Sequence, residues 1–398
     1  MTGSDAMLDS ARAQLMASAR SDVPPFMVMD VVEAAARLEA AGRRVIHMEI
    51  GQPAAGAPML AIAAARTALA SGPIGYAQSL GLPSLRARIA RHYAERHGVD
   101  VDPGRVVVTT GSSAAFLLAF LAMLEAGDRI AVANPGYPPY SNVLSALGCE
   151  AVPIEISAAT RFGIAPEDLI AAHRKRPLKA VLMASPANPT GTMMTADALG
   201  ALIRAAKAEG IAFISDEIYH GLDYAFTAQT ALAFSNDAVV INSFSKYFCM
   251  TGWRVGWMVV PDVLVRPIER LQQNLAISVP TLSQIAAEAA FEGIAEMEAV
   301  KRGYEASRDL LAARLPRAGL NSFPPMDGAF YLYADVSHLC DDSFAFASRM
   351  LQETGVAVTP GADFDRVNGR RFIRLCYAGA TADVAEAAER IGDWLKRG

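Results

Sequence analysis

The sequence is poor in features that define several classes of protein. Its longest apolar run covers only 11 residues, from Ala114 to Leu124, whereas a membrane-spanning helix needs about 20. The four cysteines lie far apart and form neither a disulfide framework nor a metal-ligand pattern. With 36 basic and 41 acidic residues the net charge is −5, and the chain has no basic run. This balance argues against nucleic-acid binding through phosphate contacts.

Lysine is also scarce, which makes each lysine informative. Six of the 36 basic residues are lysines and the other 30 are arginines, a ratio typical of G+C-rich genomes. Five lysines lie in charged or helical contexts that predict surface positions. Only Lys246 lies among apolar, aromatic and uncharged residues, in the segment INSFSKYFCMTGW. Because desolvation lowers the pKa of a lysine, we expect an accessible neutral amine here, which can condense with an aldehyde.

The overall composition is that of a folded chain with two or three domains. Of 398 residues, 52% are hydrophobic and 19% are charged, which excludes a disordered protein. The N-terminus carries Asp5 and Asp9 and lacks the basic-then-apolar pattern of a secretion signal. The sequence therefore predicts a cytoplasmic protein with reduced cysteines.

The apolar runs predict an α/β fold. Seven short runs between residues 105 and 260 alternate with Ala- and Leu-rich segments, as expected for a large domain with a mostly parallel seven-stranded sheet and helices on both faces. After residue 265 a long helical stretch continues to about 315. The runs AFYLYADV and RFIRLCYA then predict strands of a smaller α+β domain.

The predicted domains use both ends of the chain. Residues 51–285 form the large domain, 286–398 form the small C-terminal domain, and 1–50 are an N-terminal segment that joins the small one. Within that segment, apolar spacing predicts an amphipathic helix from Val31 to Ala41, and VIHMEIG predicts a strand that stops at Gly51.

Residues that directly follow the predicted strands are candidate ligand contacts, because ligands of such sheets bind beyond the carboxyl ends of the strands. Gly111, Ser112 and Ser113 follow VVVTT and open an apolar helix. That position favours an anion cradle, although serine is also an ordinary N-cap. Tyr137 follows RIAVANP on a proline-rich loop, where its ring either stacks on a planar ligand or packs in the protein.

Further polar groups follow the next strands. Asn188 lies in the turn Asn-Pro-Thr-Gly, which is common but offers both a donor and an acceptor. Asp216 ends the apolar strand IAFIS, so its carboxylate needs a partner such as a protonated ring nitrogen, unless it is a surface N-cap. Arg254 follows Lys246 by eight residues, and its forked guanidinium suits a phosphate or a carboxylate.

Taken together, these groups match pyridoxal 5′-phosphate, which has an aldehyde, a ring nitrogen, a ring hydroxyl and a phosphate. With NPTG, DEIY and SFSK…GWRVG in this order, the chain resembles the class I/II aminotransferases of the aspartate aminotransferase family, which are pyridoxal-phosphate enzymes of fold type I. The resemblance extends from about Pro24 to Trp394. It implies a transaminase that moves an amino group between an L-amino acid and a 2-oxo acid by a ping-pong mechanism.

The resemblance also implies roles for individual residues. Lys246 would form the Schiff base with the coenzyme, Asp216 would keep its ring nitrogen protonated, and Tyr219 would bond to its ring oxygen; these three are the expected catalytic residues. The expected substrate contacts are Gly51, Asn188 and Arg374. The expected coenzyme contacts are Gly111, Ser112, Ser113, Tyr137, Asn188, Asp216, Tyr219, Ser243, Ser245, Lys246, Arg254 and, in a homodimer with shared active sites, the partner subunit's Tyr76. The Asn188–Pro189 peptide is expected to be cis.

Two departures from the family pattern concern the amino donor. Bacterial aspartate-preferring relatives often have a lysine where this chain has Ser113, and a serine offers no charge to the second carboxylate of aspartate. The segment Gly51-Gln52-Pro53-Ala54-Ala55 replaces the common G-E-P-D-F. The donor is therefore left open between aspartate and a neutral or apolar amino acid.

Three other functions are alternatives. A carbon–sulfur β-lyase of the same fold shares the early chemistry with a transaminase. A non-catalytic coenzyme-binding regulator would carry a DNA-binding domain, but only about 25 residues precede the family region. A metal hydrolase has little support, since His92 and His97 are five residues apart; no metal site is expected.

Overall fold

A computed structural model describes residues 17–397, so what the sequence predicts for residues 1–16 lies outside the described residues. The helices in this range are α1 (Met27–Ala40), α2 (Met59–Ala70), α3 (Pro83–His97), α4 (Gly111–Met123), α5 (Pro138–Ala146), α6 (Pro166–Lys175), α7 (Ala196–Ala208), α8 (Asp262–Leu275), α9 (Thr281–Ala290), α10 (Ile294–Arg314), α11 (Ser343–Thr354) and α12 (Thr381–Leu395). None of these helices is long and apolar enough to cross a membrane.

The strands form one large and two small sheets. They are β1 (Ile46–His47), β2 (Val106–Thr109), β3 (Arg129–Asn134), β4 (Glu150–Glu155), β5 (Ala180–Ala184), β6 (Ala212–Asp216), β7 (Val239–Ser243), β8 (Gly256–Val259), β9 (Tyr331–Asp335), β10 (Val356–Ala357), β11 (Thr359–Pro360) and β12 (Phe372–Cys376). The large sheet has seven strands in the order β2-β8-β7-β6-β5-β3-β4. Only β8 runs antiparallel to its neighbours. The α/β fold with a mostly parallel seven-stranded sheet is thus confirmed.

The large sheet is buried on both faces. Adjacent residues of a strand point to opposite faces, so Phe213 and Val240 lie in one core cluster, whereas Ile214 and Ile241 lie in the other. Helices α4, α5 and α8 cover the second face, where Phe116 packs beside these strands. Because both faces are covered, ligands can approach the parallel strands only at an edge, and the residues that follow their carboxyl ends meet there.

A smaller antiparallel sheet, β11-β12-β9, carries Arg374 on its central strand. Strand β1 pairs with β10 beside it. Helix α1 packs against this unit through a cluster that includes Val31, Ala35 and Leu351. The N-terminal segment therefore contacts the C-terminal third of the chain, although the domain boundaries at 51 and 285 stay predictions.

Two expectations about single elements were wrong in extent. The strand predicted over VIHMEIG is only β1, because the carbonyl of Glu49 accepts hydrogen bonds from the side chains of Thr359 and Arg374 and is not part of a ladder. The long helical stretch after residue 265 is three helices. Helix α8 ends at Leu275, and Pro280 and Gly293 immediately precede α9 and α10.

Candidate active site

A cavity of about 260 Å³ lies at the carboxyl edge of the large sheet. Most of the predicted site residues meet on its wall; they are Gly51, Ser112, Ser113, Tyr137, Asn188, Asp216, Tyr219, Ser245, Lys246, Arg254 and Arg374. These residues are spread over more than 300 positions of the sequence. The fold thus brings them together in one place.

Lys246 follows β7 and is enclosed in the cavity wall. Its Nζ donates a hydrogen bond to the carbonyl oxygen of Gly51 at 2.6 Å. Burial lowers the pKa of Lys246 to about 8, and the nearby Arg374 and Arg254 act in the same direction. A lysine with this pKa is partly neutral near pH 7–8, as a nucleophilic amine must be.

Asp216 is buried at the end of β6 with two uncharged partners. The amide of Ile218 donates to Oδ1 at 3.0 Å, and the hydroxyl of Tyr140 donates to Oδ2. Burial raises the pKa of Asp216 to about 6, while these donors and the charge of Lys246 oppose the rise. A cation placed beside this carboxylate would complete its environment.

The aromatic residues around the cavity hold one another in place. The ring of Tyr137 lies edge-on to that of Tyr140, with centroids 5.3 Å apart. The hydroxyl oxygens of Tyr219 and Tyr331 are 2.6 Å apart, which is hydrogen-bond distance. A side chain on Gly51 would collide with the Tyr331 hydroxyl. The absence of a side chain there therefore lets Tyr331 approach Gly51 and the Lys246 amine.

Arg374 also lines the cavity, with its guanidinium 4.5 Å from the centroid of the Tyr331 ring, and is only 2% exposed. Its Nη1 donates to Oδ1 of Asn188 at 2.9 Å, and its Nη2 donates to Thr359 Oγ1 at 3.2 Å and to the carbonyl of Glu49. Its buried Nε has no partner among the described residues. The Asn188–Pro189 peptide is cis, as expected.

The N-terminus of α4 has the form of an anion site. Gly111 has φ +73°, a conformation that favours glycine, and a side chain there would collide with the guanidinium of Arg254. Ser112 and Ser113 line the cavity directly. A cation beside free amides at a helix start favours a bound phosphate.

Ser243 and Tyr76 do not line this cavity. Oγ of Ser243 lies 2.9 Å from Ser245 Oγ and 3.2 Å from the carbonyl oxygen of Val255, so Ser243 supports Ser245 from behind. Tyr76 is 83% exposed. The role predicted for Tyr76 requires a second copy of the chain.

A second buried carboxylate lies directly behind Asp216. Oε1 of Glu217 accepts from the Ala231 amide at 2.8 Å and from the Thr230 hydroxyl at 3.0 Å. Burial raises the pKa of Glu217 to about 8. Its Oε2 lies 3.5 Å from Nδ1 of His220. Nε2 of His220 lies 3.1 Å from the carbonyl oxygen of Ser185, so His220 packs and bonds within the protein.

Sequence reasoning missed several residues of the cavity wall. They are Phe26, Val28, Met29, Ile50, Phe116, Tyr140, Ala184, Ile218, Thr251 and Tyr331, whereas Gln52 belongs to the segment that the sequence already associates with the amino donor. Tyr140 was within reach, because it belongs to the same GYPPY segment as Tyr137. The three N-terminal residues gave no signal, since their apolar side chains fit an ordinary helix start. Among the described residues, no group of His, Cys, Asp and Glu could hold a metal ion.

Comparison with known proteins agrees with this geometry. The family described as aminotransferase class I and II matches residues 43–391. The valine–pyruvate aminotransferase of Mycobacterium tuberculosis is 50% identical over 380 residues, which cover 94% of this chain and 97% of that protein. The aspartate aminotransferase of Geobacillus stearothermophilus is 31% identical over 388 residues, with coverages of 94% and 98%.

A solved structure shows the same architecture. The crystal structure of an aminotransferase from Mycobacterium tuberculosis superimposes with a TM-score of 0.94 and 49% identity, and covers 96% of this chain and 100% of that one. These relatives are all aminotransferases by name, and they lend no support to a lyase or to a non-catalytic regulator. This chain belongs to the class I and II aminotransferases.

Proposed function

We propose that this aminotransferase binds pyridoxal 5′-phosphate in the cavity and exchanges the amino group of a small neutral L-amino acid, of the valine type, with pyruvate. The observation that carries the proposal is the convergence of Lys246, Asp216 and Arg374 on one cavity. Asp216 and Arg374 are buried and Lys246 is half-buried. The coenzyme with its substrate would complete the environment of all three.

The residues fit the coenzyme at each end. Within residues 17–397, Asp216 has only uncharged hydrogen-bond partners, so a protonated ring nitrogen suits it. The helix start at Gly111, with Arg254 against it, suits the phosphate. When bound, the coenzyme would supply an electron sink for the bond between Cα and hydrogen in the amino acid.

The chain's own residues then bind, orient and move protons. Arg374 would bind the α-carboxylate of the substrate through the unpartnered Nε and the N–H group that its bonds to Asn188, Thr359 and Glu49 leave free. With the coenzyme bound, Nζ of Lys246 would take the proton from Cα of the amino acid as general base and give it, as general acid, to the coenzyme carbon that carries the amino nitrogen, and its lowered pKa favours both roles. Asp216 keeps a proton on the ring nitrogen, and Tyr331 holds the hydroxyl of Tyr219.

The wall around Arg374 favours a neutral donor. The basic residues that line the cavity are Lys246, Arg254 and Arg374, and each has a role other than binding a second carboxylate. Ser113 lies on the wall without a charge. Phe26, Val28 and Met29, at and next to the start of α1, add an apolar surface. Such a surface binds an aliphatic side chain and disfavours an unpaired carboxylate.

A panel of amino donors tests the donor class. The holoenzyme is mixed with one L-amino acid at a time, and the loss of coenzyme absorbance reports each amino transfer; pyruvate is then added to restore it. We expect valine and similar neutral donors to react at least about tenfold faster than aspartate, a difference of about 1.4 kcal/mol. A faster reaction with aspartate would overturn the donor assignment, and no absorbance change with any donor would overturn the activity.

The same proposal includes a homodimer with shared active sites. Tyr76 is exposed and cannot serve the cavity of its own subunit in the described conformation. If Tyr76 serves the partner's site, a mixed dimer of one Lys246→Ala and one Tyr76→Ala subunit contains one intact site of two. Half of the dimers are mixed after random association, so about a quarter of the wild-type activity should return. No recovery on mixing would contradict shared sites.

A further inference from the structure

Tyr140 contacts the catalytic carboxylate but has no role in the function proposed so far. It lies in the first turn of α5 and is 6% exposed. Its ring packs edge-on against Phe116, with centroids 5.0 Å apart, and edge-on against Tyr137. These contacts fix the direction of the hydroxyl, which ends at Oδ2 of Asp216.

The two donors to Asp216 act on different oxygens. The Ile218 amide holds Oδ1 from the same loop, two residues away, whereas Tyr140 holds Oδ2 from a helix 76 positions earlier. A carboxylate whose two oxygens both accept hydrogen bonds cannot rotate about its Cβ–Cγ bond. Its remaining lone pairs therefore keep one direction relative to the cavity that Asp216 lines.

The direction of this hydrogen bond is also settled. Burial and the nearby Asp216 raise the pKa of Tyr140 well above its usual value, so the hydroxyl keeps its proton and donates. Its donation lowers the pKa of Asp216 against the effect of burial. The charge of Lys246 also lowers the pKa of Asp216, and Asp216 in turn raises the pKa values of the neighbouring Glu217 and Tyr137.

We propose that Tyr140 is a positioning residue, whose hydroxyl keeps Asp216 ionised and aimed so that the carboxylate holds a proton on the coenzyme's ring nitrogen. This inference rests on the proposed coenzyme site. A hydrogen bond to a charged group is stronger than one between neutral groups, so removal of the hydroxyl should weaken the bond between Asp216 and the ring nitrogen by a factor of about 10 to 100.

Tyr140→Phe tests the hydroxyl and keeps the ring that packs on Phe116 and Tyr137. The matched control is Tyr93→Phe, which also removes a buried tyrosine hydroxyl. The hydroxyl of Tyr93 lies outside the cavity and accepts a hydrogen bond from Nε1 of Trp257. Three quantities are measured on each holoenzyme: the dissociation constant of the coenzyme, the pH midpoint of its visible absorbance change, and kcat and KM with a reactive donor.

For Tyr140→Phe we expect weaker coenzyme binding by about tenfold or more, a lower kcat and a nearly unchanged KM. The pH midpoint of the absorbance change should rise. A ring nitrogen with less positive charge repels the proton on the lysine nitrogen less, so that proton is lost at a higher pH. Tyr93→Phe should leave all three quantities at their wild-type values.

A second variant separates this role from a general loss of structure. In an Asp216→Asn background, Tyr140→Phe should no longer change the pH midpoint, because the carboxylate through which it acts is gone. A Tyr140→Phe enzyme with a wild-type midpoint and kcat, or an equal shift in both backgrounds, would overturn the proposal. Failure of the wild-type protein to bind the coenzyme would instead overturn the proposed function.

Discussion

The two halves of the cavity are built in different ways. The coenzyme half consists of residues at or just after strands of one sheet, such as Asp216 at the end of β6 and Lys246 after β7. The donor half is assembled from separate segments: Phe26, Val28 and Met29 near the start of α1, Gly51, and Arg374 on the small sheet. The sheet constrains the positions in the first half. Side chains in the second half can change without disturbing the chemistry, so donor preference can vary within one fold.

Arg374→Gln should have the largest effect on the donor half alone. The substitution removes the charge and the fork that we propose for the α-carboxylate, so KM for the amino donor should rise about a hundredfold. Coenzyme retention should stay near the wild-type value. Steady-state kinetics and a coenzyme dissociation measurement check the two expectations.

The matched control is Arg371→Gln, three residues earlier in the chain. Arg371 is exposed and pairs with Asp335 at 2.8 Å, outside the cavity, so KM should not change. If Arg374→Gln released the coenzyme instead of weakening the donor, the division of the cavity into two halves would be wrong.

Ser113→Lys should shift the donor preference by a smaller amount. The new ammonium group would meet the second carboxylate of aspartate in a partly buried cavity, and a pair of this kind is worth about 1–2 kcal/mol. The ratio of kcat/KM for aspartate to that for valine should therefore rise about tenfold. Ser113→Gln adds similar length without charge and should leave the ratio unchanged; an equal rise in both variants would exclude charge as the cause.

Glu217→Gln should have the smallest effect on catalysis, because this residue acts on stability. The folded-state pKa of Glu217 is raised to about 8 from an ordinary 4.5. Its contribution to stability is therefore fully present below about pH 4.5 and is lost as the pH rises through 8. The free energy of unfolding should fall less between pH 5 and pH 8 in the variant than in the wild type.

Denaturant unfolding of the coenzyme-free protein at several pH values measures this difference. Glu167→Gln, at an exposed position in the first turn of α6, should retain the wild-type pH dependence. A Glu217→Gln protein with the same dependence as the wild type would mean that the buried carboxyl is ionised throughout this range.

The sequence predicted the sheet well, because its strands are short apolar runs separated by helices of ordinary length. The same order places Asn188, Asp216 and Lys246 at one edge, so this half of the cavity was predictable. The contact between Tyr219 and Tyr331 was not, since it joins residues 112 positions apart that share no periodic pattern. The side-chain direction of Ser243 was likewise unpredictable, because it depends on the local path of the chain to Val255.

The central claim is that Lys246 carries the coenzyme. Because lysine is scarce in this chain, the attachment site can be identified directly. The holoenzyme is reduced with borohydride, which converts a lysine-bound coenzyme into a stable secondary amine, and is then digested and analysed by mass spectrometry. Only six lysines can carry the label. We predict a stoichiometric phosphopyridoxyl group on the peptide that contains Lys246. Label on another lysine, or no label on any of the six, would contradict the account.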